Sequence, residues 1–217
     1  MRCSSCSLNV RPVIAIDIDG TLADYHFHLT QFVGAYWDFL PPLTPWDGEG
    51  DFEAYLGISQ TMYREAKLAF RQGGMKRTMP IYDEVPLLLQ GLSVRAEIWL
   101  CTNRPWQRLD NVDPDTKFWL ARHELYYDHL LYGDRKYDDL VRAVDPERVA
   151  GVIDDLPEQI DQAAWIGLPT YQRANYHNAH PSQRRRPRGN LTDAWEWAIE
   201  QLDMWDSKHA RIGAKNG

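Results

Sequence analysis

An apolar run from Val13 to Ile16 ends at two aspartates, Asp17 and Asp19, followed by Gly20 and Thr21. Burying a carboxylate at the mouth of such a run is costly unless a cation pairs with it. Polar groups recur in the same way further along. Thr102, Asn103 and Arg104 follow one apolar run, Arg135 and Lys136 follow another, and Asp154 and Asp155 close a third. Carboxylates and water suit a hard ion such as Mg2+. A divalent ion, a hydroxyl and an ammonium together suit a phosphoryl group, whose transfer depends on positioning and charge neutralisation. One carboxylate of the set can act as nucleophile, and a second as general acid and base.

These groups need a scaffold that gathers them at one edge. Val13–Ile18, Ala96–Thr102, His129–Tyr132, Val149–Asp154 and Ala164–Leu168 are short and apolar with little alternation, the pattern of strands buried on both faces of a parallel sheet. In such a sheet ligands collect beyond the carboxyl ends of the strands. Helices are expected between them. Asp113 and Pro114 read as the N-cap and first position of one helix, with Phe118, Ala121 and Leu125 on a shared face. Leu191, Trp195, Ala198, Leu202 and Trp205 mark the packing face of a last helix. The interval 24–95 shows no strand. It is rich in aromatic residues and has helical periodicity over Leu29–Leu40 and Asp51–Arg71, on either side of the breaker-rich PPLTPWDGEGD.

The expected architecture is therefore α/β: a Rossmann-like parallel sheet flanked by helices, with a helical cap inserted after the first strand. The expected division is an N-terminal tail over 1–11, a core of 12–23 and 91–217, and a cap over 24–90. Trp46, between Pro45 and Asp47-Gly48, is the best candidate there for stacking on a planar group.

The chain of 217 residues carries 24 basic and 31 acidic side chains, a net charge of -7, which weighs against nucleic acid binding across its whole surface. The basic run Arg184–Arg188 is a local exception and reads as a solvated loop. No run of 18 apolar residues and no apolar leader occur, so a soluble cytoplasmic protein with no membrane contact is expected. Cys3 and Cys6 form half a zinc site with no second pair, and read as tail.

Taken together, DIDGT at Asp17–Thr21, Thr102 in WLCTNR, Lys136 in GDRKYDD and Asp154-Asp155 in GVIDDLPEQ resemble, in order, the four motifs of the haloacid dehalogenase-like phosphatases. The resemblance runs over roughly Val13 to Gln172 and leans towards the 5'(3')-deoxyribonucleotidase-like group. It implies that Asp17 is the nucleophile and Asp19 the acid/base, that Thr102 and the Asn103 amide bind the phosphoryl group, and that Lys136 neutralises charge. It further implies Mg2+ held by Asp17, the Asp19 carbonyl and Asp154, with Asp155 beside them, and Arg104 near the substrate. Members that cleave carbon–halogen bonds lack an acid at the Asp19 position, because halide leaves without a proton. Lys117 is a rival to Lys136, but it falls early in a helix. The implied substrate is a small phosphorylated molecule, a nucleoside monophosphate. Two alternatives stay open: a polynucleotide 3'-phosphatase, and a non-catalytic nucleotide-binding protein.

Overall fold

The structure is a computed structural model that describes residues 10–48, 50–178 and 187–215. Cys3, Cys6 and Arg184 to Arg186 lie outside the described residues. Among the described residues six strands form one sheet: β1 (Val13–Ile16), β2 (Glu97–Thr102), β3 (His129–Tyr132), β4 (Val149–Asp154), β5 (Thr170–Arg173) and β6 (Arg188–Gly189). Their spatial order is β3-β2-β1-β4-β5-β6, and every pairing is parallel. The chain builds outward from β1 in one direction and then, from β4, in the other. The crevice between β1 and β4 is thus the topological switch point, where open α/β sheets bind ligands.

β1 is fully buried, and its residues divide between two cores. Ile14 and Ile16 face a layer made by α4 (Val85–Ser93), α5 (Val112–Arg122) and α8 (Leu191–Lys215). Val13 and Ala15 face the opposite layer of α6 (Lys136–Ala143) and α7 (Pro157–Trp165). This two-sided burial is why the central strands carry no polar alternation.

α1 (Tyr25–Tyr36), α2 (Phe52–Leu56), α3 (Gln60–Gln72) and a 3-10 turn at Met75–Thr78 are inserted between β1 and α4. Asp24 begins α1 by accepting the Phe27 amide, and Ser59 begins α3 by accepting that of Met62. Outgoing and returning chains meet at the base of the insert. Ala23 and Ile81 form an antiparallel bridge, the Asp24 amide donates to Pro80 O at 2.9 Å, and that of Tyr82 donates to Leu22 O at 3.2 Å. The expected division at residue 90 falls inside α4, which packs on β2 and α8 in the sheet layers.

Several local expectations are corrected. Ala164–Leu168 is not a strand. It holds the end of α7 and a turn at Gly167, whose φ of +85° suits glycine, and the strand begins only at Thr170. Helical periodicity over Asp51–Arg71 is broken into α2 and α3. α5 starts one residue before Asp113 and buries Val112, Asp115, Thr116, Trp119 and Leu120, leaving Phe118 half exposed. Two polar residues on the inward face disguised it. On α8 the fully buried face is Leu191, Ala194, Ala198 and Leu202, with Trp195 half exposed beside Gly91 of α4.

Candidate active site

At the C-terminal end of β1, Asp17 meets the end of β4. Its amide donates to Ile153 O at 2.9 Å, which fixes the two strand ends side by side. Lys136, at the start of α6, is wholly buried between them. Its ammonium donates to Asp17 Oδ1 and lies 2.7 Å from Asp154 Oδ2. Burial alone would lower the pKa of this amine, but Asp154 and Asp17 outweigh it and keep the group charged. Asp154 also accepts from the Tyr137 hydroxyl at 2.5 Å and from the Leu156 amide at 2.9 Å.

Asp17, Asp154 and Asp155 each place one carboxylate oxygen within 4.8 Å of the others. Burial pushes Asp17 up, Lys136 opposes this, and the carboxylates of Asp154, Asp155 and Asp19 add to the rise. Asp154 is raised for similar reasons, again against Lys136. Buried like charges of this kind, with oxygen donors only, fit a hard dication such as Mg2+. Asp155 differs from the other two. Burial would raise it, but His177 overrides this and holds it low. Its two oxygens accept from Thr21 Oγ1 at 3.0 Å and His177 Nε2 at 2.6 Å. Gly20 crosses directly over it with a φ of +96°, and a Cβ there would stand 2.2 Å from Asp155 Oδ2. Asp155 therefore anchors the loop that carries Asp19, while Asp17 and Asp154 face each other across the lysine.

The Asp19 carboxylate lies outside that cluster. Arg104 grips it with two nitrogens, Nη2 at 2.6 Å and Nε at 3.1 Å, and Lys76 from the insert's 3-10 turn holds it at 2.5 Å. Burial would raise this carboxyl, but Arg104 and then Lys76 hold it well below the usual range. Burial draws Lys76 itself down to about 7 against the pull of Asp19. Arg104 is buried and braced by Thr116 Oγ1 at 2.7 Å.

Thr102 ends β2 inside the same cavity of about 280 Å³, whose walls include Asp17, Asp19, Asn103, Arg104, Lys67, Arg71 and Lys76. The Asn103 amide group donates to Gly133 O at 2.8 Å and Asp134 O at 2.9 Å, so this side chain ties down the loop leading to Lys136. Lys117 is exposed and pairs with Asp113 at 2.8 Å, away from the cavity. Trp46 is not brought to these carboxylates. It lines a neighbouring cavity of about 600 Å³ with Phe27, Tyr55 and Tyr176, and packs on His26, which borders both cavities. Arg188 donates to Asn178 O at 2.9 Å from β6.

Sequence reasoning missed Lys76, Lys67 and Arg71, which come from the insert rather than from a strand end, and also Tyr137 and His177; it named Thr21 within the first motif but gave it no role. A signal existed only for Tyr137, which adjoins Lys136.

No protein-family model matches the chain, and no curated protein matches it. Solved structures do. A predicted phosphatase from Clostridium acetobutylicum aligns over 88% of this chain and 99% of its own, with TM-score 0.62 and 15% identity. A hydrolase of the haloacid dehalogenase-like family from Streptococcus pneumoniae aligns over 87% and 98%, with TM-score 0.57 and 13% identity. An L-2-haloacid dehalogenase aligns over 88% and 99%, with TM-score 0.56 and 16% identity. The fold is thus that of the haloacid dehalogenase-like hydrolases. Among the described residues no helix is long and apolar enough to cross a membrane.

Proposed function

We propose that the chain is a magnesium-dependent phosphatase of small phosphate monoesters, acting through a phosphorylated Asp17. The observation that carries this reading is the division of labour between two carboxylates two residues apart. Asp17 sits with the buried ammonium of Lys136 and two further carboxylates. Asp19 sits with Arg104 and Lys76 in the same cavity. Asp17 and Asp154 would hold the ion, with Asp155 behind them; bound there, it would neutralise charge on the phosphoryl oxygens.

The residues of the chain do the rest. An Asp17 oxygen attacks phosphorus, and the bond to the leaving oxygen breaks. Lys136 balances charge on Asp17, and the Thr102 hydroxyl faces the phosphoryl group. Asp19 gives the leaving oxygen a proton, then removes one from water as that water cleaves the acyl phosphate, releasing inorganic phosphate and free Asp17. The ionised Asp19 of this structure is in the form suited to the second step. For the first, an entering anion must draw Arg104 and Lys76 away from it.

The finer reading is a 5'(3')-nucleotidase acting on nucleoside monophosphates. The aromatic cavity beside the site supports it, since Trp46, Tyr55 and Tyr176 offer apolar walls to a planar base across His26. Asp17→Asn should remove phosphate release from p-nitrophenyl phosphate and from a nucleoside monophosphate panel while leaving the circular dichroism spectrum unchanged. Retained turnover would sink the covalent mechanism.

A further inference from the structure

The two sides of the site carry opposite excess charge. On the sheet side Asp17 lines the cavity, and behind it the buried Asp154 and Asp155 complete a cluster of three carboxylates around one ammonium, Lys136. That deficit is what a divalent cation would fill. On the side of the insert the balance is reversed. Lys67, Arg71, Lys76 and Arg104 line the cavity, and the carboxylate opposing them is Asp19, already shared by Lys76 and Arg104.

Lys67 and Arg71 are therefore in surplus. They stand four residues apart on α3, on one face, both half-buried. Lys67 Nζ donates to the Tyr63 hydroxyl at 3.0 Å, and neither cation has a carboxylate partner among the described residues. Nearby basic groups outside the cavity are neutralised: Arg77 pairs with Asp115 at 2.5 Å and Lys117 with Asp113. Burial and then the adjacent Arg71 lower the Lys67 ammonium, and the more distant carboxylates of Asp19 and Glu53 only partly oppose them. Placing two cations side by side in a partly desolvated wall is unfavourable unless something negative enters with the substrate.

We infer that Lys67 and Arg71 form a second anion subsite, which receives a negatively charged group carried by the leaving group of the substrate. The inference rests on the phosphatase reading, and where the substrate is a nucleotide it replaces the monophosphate of the finer reading. The substrate is an organic phosphate with a second anionic group, a carboxylate or another phosphoryl, close enough to share one cavity of about 280 Å³. Among nucleotides, this means a nucleoside carrying two separate phosphates in preference to a monophosphate.

Matched pairs test it on the full chain with Mg2+. Glycerol 3-phosphate against 3-phosphoglycerate adds a carboxylate. Adenosine 5'-monophosphate against adenosine 3',5'-bisphosphate adds a phosphoryl. The doubly anionic member of at least one pair should show a kcat/KM about ten-fold higher or more, the scale of one charge-assisted hydrogen bond, and chiefly through KM. Lys67→Met and Arg71→Gln should each shrink that ratio, and Arg71→Lys should restore part of it, with folding checked by thermal melting. The pair that responds identifies the anion. Turnover of p-nitrophenyl phosphate with no preference in either pair, or a preference that survives in the Lys67→Met/Arg71→Gln double variant, overturns the subsite alone. No turnover of any of the five compounds overturns the phosphatase reading and the subsite with it.

Discussion

Lys136 shows how much a single side chain decides at this site. It is completely buried, and its charge is balanced by the pair of aspartates it joins, with the Tyr137 ring 5.2 Å from the ammonium. Removing one partner of a buried ionic group leaves the others uncompensated, at a cost of about 3–5 kcal/mol. Lys136→Met should therefore lower the melting temperature by roughly 10 °C in a chain of this size, measured by calorimetry. Because the three carboxylates would then repel one another without relief, Mg2+ should raise the melting temperature of the variant by more than it raises that of the parent. A variant as stable as the parent would show that the lysine does not neutralise the cluster. Asp17 and Asp19 were legible in the sequence because two carboxylates and a glycine closing an apolar strand have few bland explanations, and Asp154, by itself an ordinary strand-to-loop turn, was legible in their company. Lys76 was not. It is one of several basic residues in a stretch with no strand end to single it out, and only the folded chain brings it to Asp19.

At the scale of elements, α5 holds the insert against the sheet. Its inward face is polar where it meets the insert: Asp115 takes Arg77 Nε at 2.5 Å and Asn111 Nδ2 at 2.6 Å, and Asn111 donates in turn to Arg71 O at 2.6 Å. Thr116 braces Arg104, and Trp119 Nε1 donates to Met79 O at 2.8 Å. These contacts set the position of the turn that carries Lys76. Asp115→Ala leaves Arg77 and Asn111 without their buried acceptor, a loss of about 1–3 kcal/mol. It should raise KM more than it lowers kcat, and should speed proteolytic cleavage within 71–79; an unchanged digestion pattern would refute the latch. The same face explains why the packing of α5 was misread. Hydrophobic periodicity finds apolar stripes, and here Asp115 and Thr116 occupy inward positions. Strands β1, β2 and β4 were legible because burial on both faces leaves an unmixed apolar run, and β3, a partly exposed edge strand, because its run of His129–Tyr132 is short and mostly apolar. β5 was displaced, because the apolar residues before Gly167 belong to the end of a helix.

For the molecule as a whole, the carboxylate cluster lies where β1 and β4 part, so an ion bound there ties together the two halves of the sheet. Binding restricted to the folded state stabilises it by about 2.7 kcal/mol at a hundred times the dissociation constant. Saturating Mg2+ should thus raise the melting temperature by roughly 5–10 °C, since each kcal/mol moves a chain of this size by about 2–4 °C. Chelator should reverse the rise, and Asp154→Asn should abolish it; no response in the parent would argue against a metal at this position. The helices of the insert join the sheet layers through two strands of chain that run side by side, stitched by the Ala23–Ile81 bridge and its flanking hydrogen bonds. A single tether would let the appended helices turn in any direction. A doubled one resists twisting and leaves a single axis to swing about, so Lys67, Arg71 and Lys76 would travel along one arc and return to the same place at every turnover.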